Sequence, residues 1–478
     1  MVVCAYTSGG HWHEVCAHSG LAGKDGVMKL DAEFIDRTRA LFGNEVYDRF
    51  VQALDEEPVV SIRHNVNKRH SALCGDEVPW AVSGNYLAER PVFTADPLFH
   101  AGCYYVQEAS SMFLEQAVRQ YVTSPVRALD LCAAPGGKST HLLSLLPQGS
   151  MLVSNEPVPL RAQVLAENVT KWGYASAVVT KNEPADFAPL HNFFDFVLVD
   201  APCSGEGMFR KDAYAVEQWS VANVRQCAKR QREIVADIWD SLRPGGLMVY
   251  STCTFNSEEN EECVEWIAGE LGAELLEINA CDGWNIIGSL TAKGLPVYRF
   301  IPGHTRGEGL FMAILRKEGN AGVQQLRQPR IKVADNKVKR LVEGWVKEPS
   351  RFNFVMQNDT VVAMPAEHTA AMSLLCQKLR VLHCALPLAE VKNGKLLPQH
   401  ALAMSNELCM SAFNVVEVNR DKALAYLHRE TLLFTDEPVG YLLLTYDGVP
   451  LGFMKNIGNR ANNLYPAEWR IRKNPMEL

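Results

Sequence analysis

Two cysteines fifty residues apart carry the clearest chemical signal in this sequence. Cys203 lies in Asp-Ala-Pro-Cys-Ser-Gly-Glu-Gly and Cys253 lies in Tyr-Ser-Thr-Cys-Thr-Phe. Each follows an apolar run that predicts a buried parallel strand, Phe194 to Asp200 and Leu247 to Ser251. Because the carboxyl ends of neighbouring strands face one crevice, we expect both thiols to meet over one substrate. The alternatives are inert core cysteines or a redox pair, although no flavin or nicotinamide motif accompanies them.

A glycine-containing loop, Asp-Leu-Cys-Ala-Ala-Pro-Gly-Gly-Lys, joins an earlier strand to a helix. Gly136 and Gly137 allow a ligand to approach the backbone, and the free amides of the following helix favour a carboxylate or phosphate. The loop matches neither G-x-G-x-x-G nor a P-loop, so a nucleoside triphosphate is not indicated. Alone, it is equally well explained as an ordinary turn. Glu156 ends the next strand, where such folds place an acid on a ribose diol, and the combination favours an adenosine-type ligand.

Basic residues follow the Cys203 loop. Arg210 and Lys211 lie closest in sequence and are the candidates for phosphate contacts. The next basic residues, at the helical spacing of a solvated face, are Arg225, Lys229, Arg230 and Arg232.

The elements that must position these residues alternate between strand and helix, which predicts a mostly parallel seven-stranded sheet with helices on both faces. The predicted strands are Val126 to Leu131, Met151 to Asn155, Ala177 to Thr180, Asp195 to Val199, Leu247 to Ser251, Glu274 to Ile278 and Phe311 to Leu315. One long helix is predicted from Ala215 to Leu242. Another is predicted to open at Ser257, with several glutamates near its positive end.

The remaining chain divides by composition. Residues 1–27 are interpreted as a disordered or unused extension, and 28–110 as a small α+β domain with helices Asp31 to Phe42 and Asn44 to Leu54. The sheet domain covers 111–318. A basic linker and first C-terminal module cover 319–404, with a hairpin from Phe352 to Met364. Residues 405–478 form a small β-rich domain that includes a strand from Gly440 to Tyr446.

Composition describes an ordinary globular protein. The 478 residues, 47% apolar and 21% charged, suffice for two to four domains, and the net charge of -8 gives no global attraction to nucleic acid. Thirteen cysteines without an export signal predict reduced thiols in a cytoplasmic protein. No C-x-x-C pair occurs, so no metal site is expected, and no apolar run is long enough to cross a membrane.

Together, the glycine loop, the extended run Asp-Ala-Pro-Cys-Ser-Gly-Glu-Gly-Met-Phe-Arg-Lys and Ser-Thr-Cys resemble the signatures of the RNA cytosine-5 methyltransferases of the NOL/NOP/Sun family. The resemblance covers Asp31 to Lys317, including Ser61-Ile-Arg-His-Asn65 and Pro97 to Ser111. Thr254 replaces the serine that many members carry after the cysteine.

The C-terminal part narrows this resemblance. Lys395 to Met404, Gly448 to Lys455 and the following Asn463-Leu-Tyr-Pro are similar to the two C-terminal modules of bacterial RsmF-type members, of which the last is a PUA-like RNA-binding domain. Phe453 and Asn462 depart from the Trp and Lys that are commoner there. The resemblance thus implies a Rossmann-like class I methyltransferase with C-terminal RNA-binding modules.

The resemblance also implies roles for the thiols. Cys253 would add to C6 of cytosine and so activate C5 for methylation. Cys203 would assist loss of the C5 proton and release of the enzyme, as base or assistant. Asp200 would hydrogen-bond the ring near N3, or alternatively contact the methyl donor.

The donor implied is S-adenosylmethionine. Glu156 would bind its ribose hydroxyls with support from Arg161, and Glu183 would lie near the adenine, where the family usually has Asp. The residues expected to wrap its methionine and ribose side are Cys132, Ala133, Ala134, Pro135, Gly136, Gly137 and Lys138.

The implied partner is an unstacked cytosine of ribosomal RNA, most simply in the small subunit, bound by a monomeric enzyme. A transfer RNA target is the near alternative. A non-catalytic RNA-binding ribosome-assembly factor is the alternative of a different class, although a pure binder needs neither thiol. DNA cytosine methyltransferases are disfavoured because they lack the Ser-Thr-Cys partner.

Overall fold

The computed structural model describes residues 2–6, 12–16, 30–68, 70, 73, 75–319 and 332–472. Of the proposed extension 1–27, only the backbones of two paired strands fall within these ranges. Most of the basic linker, including Arg327 to Ile331, lies outside the described residues. Among the described residues, no helix has the length and hydropathy needed to cross a membrane.

The elements of the N-terminal part are β1 (Val2–Tyr6), β2 (Trp12–Cys16), α1 (Ala32–Phe42), α2 (Asn44–Leu54), β3 (Val60–His64), β4 (Asp76–Glu77), β5 (Gly84–Leu87), α3 (Pro97–His100), β6 (Tyr104–Val106) and α4 (Leu114–Tyr121). Four of its strands form a sheet of order β4-β5-β3-β6. The predicted first two helices are confirmed. Asp31 caps α1 by accepting from the Glu33 amide at 2.8 Å, and Gly43 ends it at a φ of 74°.

The middle of the chain forms the central sheet and its helices. Its elements are β7 (Arg127–Asp130), α5 (Gly137–Leu145), β8 (Met151–Asn155), α6 (Pro159–Trp172), β9 (Ala177–Thr180), β10 (Phe194–Asp200), α7 (Ala213–Gln218), α8 (Val221–Trp239), β11 (Leu242–Thr252), α9 (Glu261–Leu271), β12 (Ala273–Leu276), β13 (Val297–Phe300) and β14 (Leu310–Lys317).

The elements of the C-terminal part are α10 (Asn336–Val342), β15 (Phe352–Gln357), β16 (Thr360–Pro365), α11 (Thr369–Lys378), β17 (Val381–Cys384), β18 (Leu386–Lys392), β19 (Lys395–Pro398), α12 (His400–Met404), β20 (Asn414–Glu417), α13 (Arg420–Leu427), β21 (Gly440–Tyr446), β22 (Val449–Asn456) and β23 (Ala461–Asn463). They include two further four-stranded sheets, β15-β16-β18-β19 and β20-β21-β22-β23. The hairpin predicted from Phe352 to Met364 and the strand from Gly440 are confirmed.

The central sheet has the order β12-β14-β11-β10-β7-β8-β9-β17, with β13 also paired to β14. The five strands from β11 to β9 run parallel, and β14 is antiparallel to β11. All seven predicted strands are present in this mostly parallel α/β sheet. The expected number is wrong, however, because the described residues place nine strands in it. The additional β13 and β17 are four-residue strands, and β17 comes from beyond the expected boundary to pair with β9.

Two predicted helix boundaries are wrong. The helix expected from Ala215 to Leu242 is divided into α7 and α8, because the Ser220 side chain caps a new helix by accepting from the Asn223 amide at 3.2 Å. The helix expected to open at Ser257 begins at Glu261 instead. The residues between Ser257 and Glu261 form a turn, in which Glu259 bonds to Ser204 and Asn260 bonds to Thr252 and Thr254.

Candidate active site

The two cysteines lie together at the carboxyl edge of the sheet. Asp200 at the end of β10 is in register with Ser251 on the parallel β11, so both chains turn away from the sheet at the same level. Cys203 and Cys253 are partly buried, and their sulfur atoms lie 3.2 Å apart as free thiols. Strand order alone therefore predicted this meeting correctly.

The environment of Cys203 favours the protonated thiol. Its pKa is raised well above the ordinary range by the hydrogen bond with Cys253, then by burial and by the charge of Cys253, and to a smaller extent by Glu259. Cys203 consequently keeps its proton and can share it with the neighbouring sulfur.

Asp200 links the cysteine loops to the glycine loop. One carboxylate oxygen accepts a 2.7 Å hydrogen bond from the Ser251 hydroxyl, and the other lies 2.8 Å from the Lys138 ammonium. Burial lowers the pKa of Lys138, but Asp200 and more distant acids outweigh burial and the net shift is upward. Lys138 therefore stays charged and points towards the cysteine side, while about a third of the Asp200 side chain is exposed.

The glycine loop, Cys132 to Lys138, turns from β7 into α5. Gly136 adopts a φ of 113°, a conformation that strains other residues, and α5 begins at the next residue. The loop is tied to β8 by the Ala133 amide, which donates to the Asn155 carbonyl at 2.8 Å. Ala134 to Pro135 is a cis peptide bond.

Glu156 and Arg161 lie beside this loop. Glu156 is buried, accepts a 3.0 Å hydrogen bond from the Val158 amide and lies 3.3 Å from the Arg161 guanidinium. Arg161 also donates to the Ala134 carbonyl at 3.1 Å, so it joins the acid to the loop. Burial raises the pKa of Glu156, and Arg161 opposes that effect.

Glu183 lies three residues beyond the end of β9, the strand that follows α6. Its side chain is 63% exposed, forms a loose 3.7 Å ion pair with Arg230 and caps the short turn Pro184–Phe187 together with Asp186. Asn182, which the sequence analysis did not single out, is buried beside it. The side-chain oxygen of Asn182 accepts a 3.1 Å hydrogen bond from the backbone amide of Arg380, so the segment preceding β17 borders the site.

The polar groups around the glycine loop fit a ligand that carries both cationic and hydroxyl groups. Asp130 is fully buried, and one of its oxygens accepts from the Ser139 hydroxyl at 2.6 Å. Its other oxygen has no hydrogen-bond partner among the described residues. Burial raises the pKa of Asp130 to about 7. With Glu156 nearby and free amides at the start of α5, the loop offers partners for an ammonium, a diol and a carboxylate.

The prediction that Arg210 contacts phosphate is wrong. Arg210 is buried and makes two 2.8 Å hydrogen bonds to the Glu308 carboxylate, with further bonds to the Ala53 and Gly307 carbonyls. The Arg210 guanidinium is therefore paired with Glu308 and, through Ala53, it holds the loop after Cys203 against the N-terminal helix α2. Lys211 lies 3.8 Å from the same carboxylate and is partly exposed.

Sequence reasoning missed a buried polar network beneath both cysteine loops. Glu206 accepts from the backbone amides of Phe255 at 2.6 Å and Asn256 at 3.1 Å, and from the Trp219 indole at 2.9 Å. The Gly207 amide donates to the Cys253 carbonyl at 2.7 Å. The signal in the sequence was the density of acids and amides directly after each cysteine, which the helix interpretation assigned to a helix end.

Packing behind this network comes from the N-terminal helices. Phe34 on α1 contacts Phe209, with ring centroids 5.1 Å apart, and Phe50 on α2 contacts Phe255 at 5.2 Å. Phe209 and Phe255 follow the two cysteines in sequence. The N-terminal helices therefore brace both loops from outside the sheet domain.

Known protein families match successive segments of this chain. Three family models match: the N-terminal domain of 16S rRNA methyltransferase RsmF over residues 30–109, 16S rRNA methyltransferase RsmB/F over 123–316, and the methyltransferase RsmF PUA domain over 413–471.

Curated relatives cover most of the chain. Ribosomal RNA small subunit methyltransferase F of Klebsiella pneumoniae is 32% identical over 411 residues, which is 82% of this chain and 84% of the relative. The protein of that name from Pectobacterium atrosepticum is 30% identical over 475 residues, 92% of this chain and 95% of the relative. Among solved structures, NSun6 from Pyrococcus horikoshii has a TM-score of 0.51 at 22% identity, covering 61% of this chain and 99% of that one. This last likeness shows the fold.

Proposed function

Because the chain belongs to the 16S rRNA methyltransferase RsmB/F family, we propose that it methylates cytosine C5 in small-subunit ribosomal RNA through a covalent bond between Cys253 and C6. The observation that carries this proposal is the pair of free thiols 3.2 Å apart beside Asp200. The chain is an RNA methyltransferase that uses S-adenosylmethionine. The proposal concerns the mechanism, the residues and the RNA target.

Covalent addition is needed because C5 of cytosine is a weak nucleophile. The Cys253 thiolate adds to C6 and forms a carbon–sulfur bond, and the electrons of the C5–C6 double bond move into the ring towards N3. Asp200 hydrogen-bonds the ring near N3 and favours this charge build-up. The resulting enamine carries its nucleophilic electron pair at C5.

Release reverses the addition after C5 has been methylated. The C5 proton leaves to a base, its electron pair re-forms the C5–C6 double bond, and the Cys253–C6 bond breaks to return the thiolate. Cys203 serves this step as assistant when its thiol donates a hydrogen bond to the departing sulfur, and it can serve as base only after it has given up its own proton. The 3.2 Å contact supports that role, because the same contact reaches the leaving sulfur.

The donor is held by the opposite half of the site. When bound, S-adenosylmethionine supplies the methyl group from its sulfonium centre. We assign the loop from Cys132 to Lys138 to its methionine and ribose side, Glu156 with Arg161 to its ribose hydroxyls, and Glu183 to the adenine side. The buried, partly unpaired Asp130 and the free amides of α5 support this assignment. The related NSun6 structure was solved with SFG, an analogue of this donor.

The proposed ribosomal RNA target is supported by the relatives, which are named as small-subunit ribosomal RNA methyltransferases. The cytosine must be unstacked to reach a crevice at a sheet edge. We expect the C-terminal domain that matches the PUA model to supply much of the affinity through phosphate contacts, which predicts strong salt dependence.

The test measures transfer of labelled methyl groups to purified 30S subunits, naked ribosomal RNA and transfer RNA. Cys253→Ala should be inactive, whereas Cys203→Ala should accumulate protein covalently linked to RNA. Cys281→Ala, which alters an exposed cysteine, is the matched control and should behave as wild type. Methylation by Cys253→Ala would refute the assignment of Cys253 as the nucleophile. Label in transfer RNA alone would refute the ribosomal target.

A further inference from the structure

Two adjacent residues just before α9 hold the two cysteine loops separately. Glu259 bonds directly to Ser204 after Cys203 and, through Gln231, to Pro202 before it, whereas Asn260 bonds directly to the residues on either side of Cys253. Both side chains are fully buried. They lie in the turn that precedes α9.

The Glu259 carboxylate acts on the Cys203 loop. One of its oxygens accepts from the Ser204 backbone amide at 3.0 Å and from the Gln231 side-chain amide at 2.7 Å. The same Gln231 amide donates to the Pro202 carbonyl at 3.0 Å. The residues immediately before and after Cys203 are therefore fixed through Glu259 and Gln231.

The Asn260 amide acts on the Cys253 strand end. Its oxygen accepts from the Thr252 hydroxyl at 2.6 Å, and its nitrogen donates to the Thr254 carbonyl at 3.0 Å. Both groups of one amide are thereby used on the two neighbours of Cys253. A single turn of backbone thus sets the placement of the two thiols relative to each other.

The surrounding residues keep this turn in place. The Tyr250 hydroxyl donates to the Glu259 carbonyl at 2.7 Å, and the Asn256 side chain donates to the Glu259 carboxylate at 2.8 Å. The next residue, Glu261, is fully buried in an ion pair with Arg299 at 2.8 Å. The turn is therefore anchored on both sides and can transmit position to the loops.

We infer that Glu259 and Asn260 are positioning residues that divide the reaction between them, Glu259 placing Cys203 for release and Asn260 placing Cys253 for attack. This inference rests on the proposed function, in which the two thiols act in successive steps. It follows that damage to each residue should impair a different step. A merely structural role would impair both steps together.

The experiment measures two quantities on each variant: methylation rate, and the fraction of protein linked to RNA after denaturing electrophoresis. Glu259→Gln should slow methylation by about tenfold or more, because a displacement of ~1 Å can cost 100-fold, and the linked fraction should rise above that of wild type. Asn260→Ala should slow methylation comparably, with a linked fraction below wild type.

Glu262→Gln is the matched control, since it makes the same chemical change at an exposed position near the start of α9. It should match wild type in both measurements. Where a primary variant does not fold, Gln231→Met replaces Glu259→Gln and Thr252→Val replaces Asn260→Ala, with the same expected directions. Circular dichroism verifies folding before either measurement.

The inference is overturned if the two variants change the linked fraction in the same direction or leave it unchanged. Cys203→Ala and Cys253→Ala are run alongside. If Cys203→Ala itself yields no linked protein, the proposed covalent mechanism fails. If Cys203→Ala yields linked protein and Glu259→Gln yields no more than wild type, only the positioning inference fails.

Discussion

The cysteine half and the donor half of the active site differ in how their buried polar groups are satisfied. On the cysteine side, Glu206 and Glu259 each accept several hydrogen bonds on both carboxylate oxygens. On the donor side, one oxygen of the fully buried Asp130 has no partner among the described residues. Buried polar groups are rarely left unpaired in proteins, so the difference is informative.

The difference teaches that the two halves acquire their geometry from different sources. The cysteine half is fixed by the protein's own hydrogen bonds before substrate arrives. The donor half retains buried hydrogen-bonding capacity that a polar ligand can use. Removing a buried hydrogen-bond acceptor from the first half should therefore cost stability as well as activity, whereas substitutions in the second half should cost mainly donor affinity.

The largest effect is expected from removing a fully satisfied acid on the cysteine side. Glu206→Ala leaves the Phe255 and Asn256 amides and the Trp219 indole without their acceptor. Since each buried unpaired group costs about 1–3 kcal/mol, the free energy of unfolding should fall by about 4 kcal/mol. Urea denaturation measures it. Glu217→Ala, at an exposed position, should change it by less than ~0.5 kcal/mol. Equal effects from both variants would contradict a structural role for Glu206.

The second effect is a change in the pH dependence of stability, caused by Asp130. Its native pKa of about 7 lies above its ordinary value of 3.8, because of burial. Between these values the unfolded chain has lost a proton that the native protein keeps, so stability falls as pH rises. Asp130→Asn removes this loss, and relative to wild type it should gain on the order of 3 kcal/mol between pH 4 and pH 8.

Urea midpoints of the two proteins across that pH range provide the measurement. The pKa of Glu259 is also raised to about 7 by burial, then by Glu206. Its contribution is present in both proteins and cancels in the difference. Parallel profiles for wild type and Asp130→Asn would show that Asp130 is already ionised in the native state.

A third prediction addresses affinity on the donor side. Glu156→Gln should weaken binding of S-adenosylhomocysteine by about 10- to 100-fold, because hydrogen bonds to a charged group contribute about 1.5–3 kcal/mol. Its thermal stability should change little, since the substitution also removes a buried charge that Arg161 only partly offsets. Isothermal titration calorimetry and thermal unfolding measure the two quantities. A large loss of stability with unchanged affinity would reverse the comparison.

The sequence could predict the parts of the site that depend on strand order. Alternating strands and helices were sufficient to place Cys203 beside Cys253, because parallel neighbours end at one edge. The glycine loop could also be identified from the sequence, because a glycine is needed where the chain turns with positive φ, as it does at Gly136. These features depend on local residue types and on periodicity.

Contacts between distant segments could not be predicted in this way. Arg210 is exposed by any local criterion, yet it is buried against Glu308, 98 positions later. Glu259 looked like a helix-end acid, yet its partner is the backbone of Ser204. Likewise β17 is too short to show a periodic pattern, and its place beside β9 depends on the path of the whole C-terminal part.

The smallest effect is expected from the exposed ion pair of Arg230 with Glu183. The two side chains are more than half exposed and 3.7 Å apart, so solvent screening leaves the pair worth less than about 0.5 kcal/mol. Glu183 is held instead by its backbone amide, which donates to Asp186 at 3.0 Å. Arg230→Ala should therefore change the free energy of unfolding by less than about 0.5 kcal/mol and the affinity for S-adenosylhomocysteine by less than about twofold. Asp186→Ala, in contrast, should lower that affinity, because the turn that holds Glu183 is no longer fixed. If Arg230→Ala has the larger effect on affinity, the position of Glu183 depends on the ion pair, and the donor half is held together by surface charge as well as by buried groups.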